Sequence, residues 1–311
     1  MDSARQNARE LGVAPDIAAD VMRLLIKTSL TRQERARVSA EGQGSGLAAL
    51  VIGGGGKMGR WFSDFLDSQG YAVTVADPVN RLPEFQCVDD WTSAGDEFAV
   101  TVVAAPLQDS AAILEQMSER GHRGLIFDVG SLKTPLIPAL RKLAASGAEV
   151  TSVHPMFGPD ADLLSDKHVI FLDAGSEKAK AAAQALFAST MANQTDMQLE
   201  EHDRLIAYVL GLSHALNIAF FSVLASSGES VPRLADISST TFDAQLEVAS
   251  RVAAENPNLY FEIQSLNDYG LEPLEALREA VEAIATTVRN KDEAAFVQLM
   301  EDGRRYLDSR G

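Results

Sequence analysis

Apolar residues follow two regimes along this chain. From Leu47 to about residue 195 they come as short runs, separated by stretches in which they recur every three or four positions. Short runs predict buried strands, and the longer period predicts amphipathic helices. Strands are predicted at 48–53, 72–76, 98–104, 124–128, 149–153 and 168–172, and helices at 57–69, 109–119, 134–146 and 176–191. This alternation predicts an α/β domain with a doubly wound parallel sheet. Past about Asp196 the strand signal vanishes. Segments 200–227, 231–256, 258–268 and 271–309 carry helical periodicity, interrupted at Gly228, Pro232, Pro257 and Pro273, which predicts an all-helical second half.

Ahead of the sheet, Asp16 to Val38 is predicted to be one long amphipathic helix with Pro15 in its first turn and apolar residues at Ile17, Val21, Leu24, Leu25 and Leu30. The glycine-rich segment Glu41 to Gly46 reads as a flexible linker. The expected organisation is therefore an N-terminal helix and linker at 1–45, a sheet domain at 46–195 and a helical domain at 196–311.

The most specific local signal is Leu50-Val51-Ile52-Gly53-Gly54-Gly55-Gly56-Lys57-Met58-Gly59-Arg60. Gly54, Gly56 and Gly59 fit G-x-G-x-x-G between a predicted strand and a predicted helix. In that pattern the first glycine permits the tight turn, the second lets the backbone approach a pyrophosphate, and the third lets helix and strand pack closely. The second strand ends at Asp77, where a carboxylate can accept from ribose hydroxyls and would repel a 2′-phosphate. NAD is the expected cofactor, with Lys57 and Met58 beside it at the helix start. Arg60 and Arg81 are the two cations that could favour a 2′-phosphate instead.

Composition narrows the functional class. A formal charge of −17 argues against nucleic-acid binding, and requires a local cationic pocket if the substrate is anionic. No apolar run is read as membrane-span length, no signal-peptide region is read in Met1 to Ala19, and Cys87 is the single cysteine, so a cytoplasmic location is expected.

Ligands collect at the carboxyl ends of strands in an open parallel sheet. Pro106 follows the third predicted strand, Ser131 and Lys133 follow the fourth, and His154 ends the fifth, ahead of Pro155, Gly158 and Pro159. Histidine is the natural acid–base group near neutral pH. In the helical half, His202 reads as a surface residue of a first turn, and His214 lies within the apolar run Leu210 to Phe221. No metal site is expected, because no histidine and carboxylate set has ligand spacing.

The glycine loop, the segment Asp128 to Lys133 and His154-Pro155-Met156-Phe157-Gly158-Pro159, in this order and ahead of a helical domain, resemble the prephenate dehydrogenase family over about residues 48 to 300. The resemblance implies a Rossmann-type domain, an all-helical dimerisation domain, a homodimer, and NAD-dependent oxidative decarboxylation of prephenate to 4-hydroxyphenylpyruvate in tyrosine biosynthesis. It implies that His154 accepts the hydroxyl proton and Ser131 bonds the same region. Arg251 would hold a substrate carboxylate, His214 would line the substrate pocket, and Lys133 would contact an anion. Asp243 stands where enteric members carry arginine, which together with Asp160 and Asp162 keeps arogenate and 4-amino-4-deoxyprephenate as alternative substrates. A β-hydroxyacid dehydrogenase would need a lysine between Lys180 and Lys291, and none is there. A non-catalytic NAD-binding partner of a mutase is the remaining alternative. Leu25 to Gln33 is similar to the last helix of an all-helical chorismate mutase, so residues 1–40 read as a remnant of it or a docking helix for it. Inhibition by tyrosine is a family trait for which no separate regulatory domain is read.

Overall fold

The computed structural model describes residues 2–309. The chain forms two compact units that divide between Leu199 and Glu200.

The first unit opens with α1 (Asp2–Glu10) and α2 (Pro15–Ala40), and continues through β1 (Ala48–Ile52), α3 (Lys57–Ser68), β2 (Ala72–Ala76), β3 (Gln86–Val88) and β4 (Glu97–Val103). It ends with α4 (Leu107–Arg120), β5 (Arg123–Asp128), α5 (Ile137–Ala145), β6 (Glu149–Pro155), β7 (His168–Asp173), α6 (Glu177–Leu186) and β8 (Asn193–Gln198). The strands form one sheet in the order β3-β2-β1-β4-β5-β6-β7-β8. Its order reverses at β1 and β4, and the last four residues of β1 are buried. The carboxyl ends of β1, β2, β4, β5 and β6 share one edge because every pair among them is parallel.

Three features of this sheet depart from the expected pattern. β7 runs antiparallel to β6, since their connection contains no helix and so cannot make a parallel crossover. β3 is only three residues long, and β8 (Asn-Gln-Thr-Asp-Met-Gln) is almost wholly exposed, so neither carries an apolar run. The expected helix at 134–146 begins as a separate 3-10 turn, Thr134–Leu136, before α5.

Segment 41–46 is not a free linker. Gly44 N–H donates to Gln69 O at 3.0 Å and Gly46 N–H to Gly70 O at 2.8 Å. A β-carbon at Gly44 would lie 2.3 Å from the Gly70 carbonyl carbon. Glycine is there for close backbone approach rather than for mobility.

The second unit contains α7 (Leu199–Ile206, whose first residue belongs to the first unit), a π-helical stretch Ala207–Leu212, α8 (Ser213–Ser226), α9 (Val231–Asp236), α10 (Thr240–Ala253), α11 (Pro257–Ser265), α12 (Leu271–Asn290) and α13 (Glu293–Asp308). Two predicted helices are each divided. Ser239 caps α10 by accepting from Phe242 N–H at 3.2 Å, ending the continuity of 231–256. Lys291 is left-handed (φ 55°) and Asp292 caps α13 from Ala295 N–H at 3.0 Å, splitting 271–309.

The reading of no membrane-length run is also corrected. Leu199–Ser226 is continuous and apolar enough to cross a membrane by length and composition, with mean hydropathy 1.7 over its most apolar window, and 28 % of that window is buried. The same property suits a helix that packs against another protein surface, and the second unit has few enclosed apolar residues of its own: Ile206, Ala207, Ala249 and Ile263.

Candidate functional site

The glycine loop closes the β1–α3 turn as its spacing requires. Gly53 takes the positive φ of 75°, one residue before the expected position, with a β-carbon there 2.7 Å from Ala104 O. Gly56 caps α3, and around it a β-carbon meets only Gly53 O at 3.3 Å, so the space in front of the first helical amides stays open. At Gly59 a β-carbon would fall 2.1 Å from Gly53 O, an impossible contact that only glycine avoids. This is a cradle fitted to a pyrophosphate. Lys57 is exposed at the first position of α3, and Met58 packs its side chain against the core. Pro106 is exposed at the carboxyl end of β4, where it caps α4.

Asp77 closes the far side. It accepts from Gly55 N–H at 3.1 Å, Val79 N–H at 2.9 Å and Asn80 N–H at 2.8 Å, which ties the end of β2 to the glycine loop. The two cations that could have favoured a 2′-phosphate are engaged. Arg60 pairs with Asp64 at 3.0 Å and with Glu84, and Arg81 pairs with Asp89.

At the ends of β5 and β6 the structure brings Ser131, Lys133 and His154 to the same sheet edge. His154 is enclosed on β6, and Ser131 is half-buried in the turn after β5. Lys133 is enclosed rather than exposed. Its side chain is fully buried, and its ammonium donates to Asp128 Oδ2 at 2.7 Å and to Val153 O at 3.0 Å. Asp128 also accepts from Gly130 N–H at 2.9 Å. Lys133 is thus a strut between β5 and β6, holding the strand that carries His154. Asp128 is the residue that sequence reasoning passed over, although it opens the segment Asp128 to Lys133.

In the second unit His214 follows the π-helical stretch directly. Such widened turns concentrate at functional positions because they free backbone groups and re-aim side chains. Here Gln264 Nε2 donates to Gly211 O at 2.8 Å. The His214 ring stacks on Tyr260 with centroids 4.1 Å apart, its Nδ1 is buried without a hydrogen-bond partner, and burial holds its pKa below the ordinary value. It is therefore a neutral imidazole at neutral pH. Arg251 on α10 is largely exposed and pairs loosely with Glu247 at 3.5 Å, which leaves its guanidinium available. Asp243 accepts from the Ser238 hydroxyl, Asp162 pairs with Arg35 at 2.8 Å, and Asp160 is exposed.

His202 departs from its expected surface position. It is completely buried, with Nδ1 2.6 Å from Asp203 Oδ1, and Asn267 Nδ2 donates to Asp203 O at 2.9 Å. The Asn267 bond to the Asp203 carbonyl ties α7 to the turn before α12. Among the described residues no group of three or more His, Cys, Asp or Glu side chains is arranged to hold a metal ion.

Residues 76–193 match the family model for the prephenate dehydrogenase nucleotide-binding domain, and residues 198–302 that for the prephenate dehydrogenase dimerization domain. The first match begins after the glycine loop, so the phosphate cradle is an independent observation. The T-protein of Enterobacter agglomerans is 25% identical over 306 residues, covering 95% of this chain and 76% of the relative. The 4-amino-4-deoxyprephenate dehydrogenase of Streptomyces pristinaespiralis is 27% identical over 277 residues, covering 84% of this chain and 92% of that protein. The crystal structure of prephenate dehydrogenase from A. aeolicus, in complex with hydroxyphenyl propionate and NAD+, shares the fold with a TM-score of 0.63 at 18% identity, covering 84% of this chain and 98% of the other. With both family domains matched in order over most of its length, behind the phosphate cradle that the structure supplies, this chain belongs to the prephenate dehydrogenase family.

Proposed function

We propose that the chain converts prephenate to 4-hydroxyphenylpyruvate and carbon dioxide with NAD as oxidant, in tyrosine biosynthesis. The observation that carries this reading is the enclosed His154 on the same sheet edge as the glycine cradle and Ser131. NAD supplies the hydride acceptor. Its preference over NADP is supported by Asp77, by the acids that engage Arg60 and Arg81, and by the NAD+ named with the A. aeolicus structure.

In this reading His154 takes the proton of the ring hydroxyl as the hydride departs from the same carbon. The electron pair of the ring–carboxylate bond then enters the ring, carbon dioxide leaves, and the phenolic oxygen recovers the proton. Aromatisation drives the step, so the protein has to position groups more than it has to activate them. Ser131 orients the hydroxyl. Arg251 holds a carboxylate, and neutral His214 lines the pocket as a hydrogen-bonding partner. Arg251 is the one cation this reading assigns to the substrate, set against an overall charge of −17.

The aminated analogues form a second reading, favoured by the Streptomyces relative. Of the three acids that could hold an ammonium, Asp162 and Asp243 already have partners, which supports prephenate. The test is reduced-nicotinamide formation with prephenate, arogenate and 4-amino-4-deoxyprephenate in parallel. Prephenate should turn over fastest, and His154→Asn should lower kcat by about 10²–10⁴-fold. Faster turnover of an aminated substrate overturns the assignment.

The same reading makes the protein a cytoplasmic homodimer, with the apolar helices of the second unit covered by a second copy. The expectation of a chorismate mutase contact has one support: Ile17, Val21, Leu24 and Leu25 are exposed along one face of α2.

A further inference from the structure

α2 precedes both matched family domains, yet its last turns are fastened to the nucleotide-binding unit. Glu34 is 4% exposed on this helix. Its Oε2 accepts from Leu164 N–H at 2.9 Å, and its Oε1 accepts from Met191 N–H. Arg35 pairs with Asp162 at 2.8 Å, Arg37 Nε donates to Ser189 O at 2.5 Å, and Val38 enters the core.

The segment held in this way is the one that leaves His154. Met156 N–H bonds His168 O at 2.9 Å, and residues 157–164 then cross to α3, where Trp61 Nε1 donates to Ala161 O at 3.1 Å and the Trp61 ring meets Phe157 at 5.0 Å. α3 grips the middle of the loop, and Glu34 grips its end. A buried carboxylate is costly unless its oxygens are satisfied, and both of these are satisfied by backbone N–H groups from two separate loops. Neither loop can move without stranding the charge. A cavity of about 500 Å³ lined by α2, α3 and residues 159–164 leaves space for the loop to shift if that clamp is lost.

We infer that Glu34 is a positioning residue for the dehydrogenase reaction: through Leu164 and Met191 it fixes the loop that follows His154, which makes α2 a working part of the dehydrogenase. The inference rests on the reading of His154 as the base. Displacing a reacting group by about 1 Å can cost on the order of 100-fold in rate, so a clamp one loop away has leverage on kcat.

The test uses the full chain with Glu34→Gln, which keeps shape and removes charge, Glu34→Ala, which removes the side chain, and Arg23→Ala as a control in the exposed part of α2. Glu34→Gln should lower kcat by about 10-fold to 100-fold, well below its melting temperature, with the KM for NAD within about twofold. Its pH–rate profile should shift, because the environment of His154 changes. Backbone hydrogen exchange should accelerate over 156–164 and 189–192 and stay unchanged in β1 to β5, while Arg23→Ala should match wild type. A Glu34→Gln protein that melts earlier but keeps kcat and the pH profile has lost only stability, and the inference falls. If wild type oxidises none of the three substrates, the proposed function fails on that result. The exchange measurement still decides the clamp, since unchanged exchange at 156–164 in Glu34→Gln overturns it.

Discussion

The ion pair between Lys133 and Asp128 gives a test that separates a strut from a substrate contact. Both side chains are fully buried, the nitrogen–oxygen distance is 2.7 Å, and the ammonium makes a second bond to Val153 O. Lys133→Met preserves much of the side-chain length and leaves Asp128 Oδ2 with the Gly130 amide but no cation. Removing one partner of a buried pair costs about 3–5 kcal/mol, because the surviving charge stays desolvated. Against a typical stability of about 5–15 kcal/mol this is a large fraction. For a unit of this size it corresponds to a fall in Tm of roughly 6–20 °C. The assay is thermal unfolding followed by circular dichroism, with steady-state kinetics at a temperature where both proteins are folded. The double variant Asp128→Leu with Lys133→Met replaces the whole pair by apolar groups and should recover at least half of the lost Tm. If Lys133→Met melts within about 2 °C of wild type and instead raises the substrate KM at unchanged kcat, Lys133 is an anion contact and the strut reading is wrong.

Gly59→Ala should abolish tight cofactor binding, since the added carbon would sit 2.1 Å from Gly53 O and must push the loop away from α3. We expect NAD affinity to fall at least about 10-fold and stability by about 1–3 kcal/mol, read by titration calorimetry and urea unfolding; wild-type affinity would contradict the cradle. His122 gives the pH prediction. Burial pushes its pKa below 6.5 despite Asp96 at 3.7 Å, and Nε2 bonds the Thr101 hydroxyl at 2.9 Å. The unfolded chain therefore takes up this proton first on acidification, so its contribution is complete above about pH 6.5 and is lost as pH falls through that value toward the folded pKa. The urea midpoint should drop between pH 7.5 and 5.5, and His122→Gln should flatten that drop; an identical drop in the variant would show that other groups cause it.

What could be read from sequence follows from how locally each feature is encoded. The central strands were legible because burial on both faces demands an uninterrupted apolar run, as in Ala49 to Ile52, and the glycine loop because steric necessity at Gly59 leaves one residue type. The edge strands β3 and β8 were not, since their backbone pairing on one side asks nothing of their side chains. The break at Ser239 has a local cap that could have been seen; the direction of β7 could have been drawn from the missing helix between Pro155 and His168.

Charge and burial together were the least legible quantities, and they decide the site. In sequence His202 is expected at the surface and Lys133 against an anion, and nothing singles out Glu34. Each is instead enclosed: the histidine beside its neighbour Asp203, the lysine between nearby Asp128 and distant Val153, and the glutamate against Leu164 and Met191, both more than a hundred residues away. A buried charge is tolerated only where such partners converge, and convergence is a property of the fold rather than of a window of sequence. The two proposed anion contacts differ in the same respect. Arg251 keeps an exposed guanidinium with one loose partner, so it retains the freedom to meet an anion, whereas Lys133 has spent that freedom on holding β6. An anionic substrate should therefore respond in KM to Arg251 and only indirectly to Lys133.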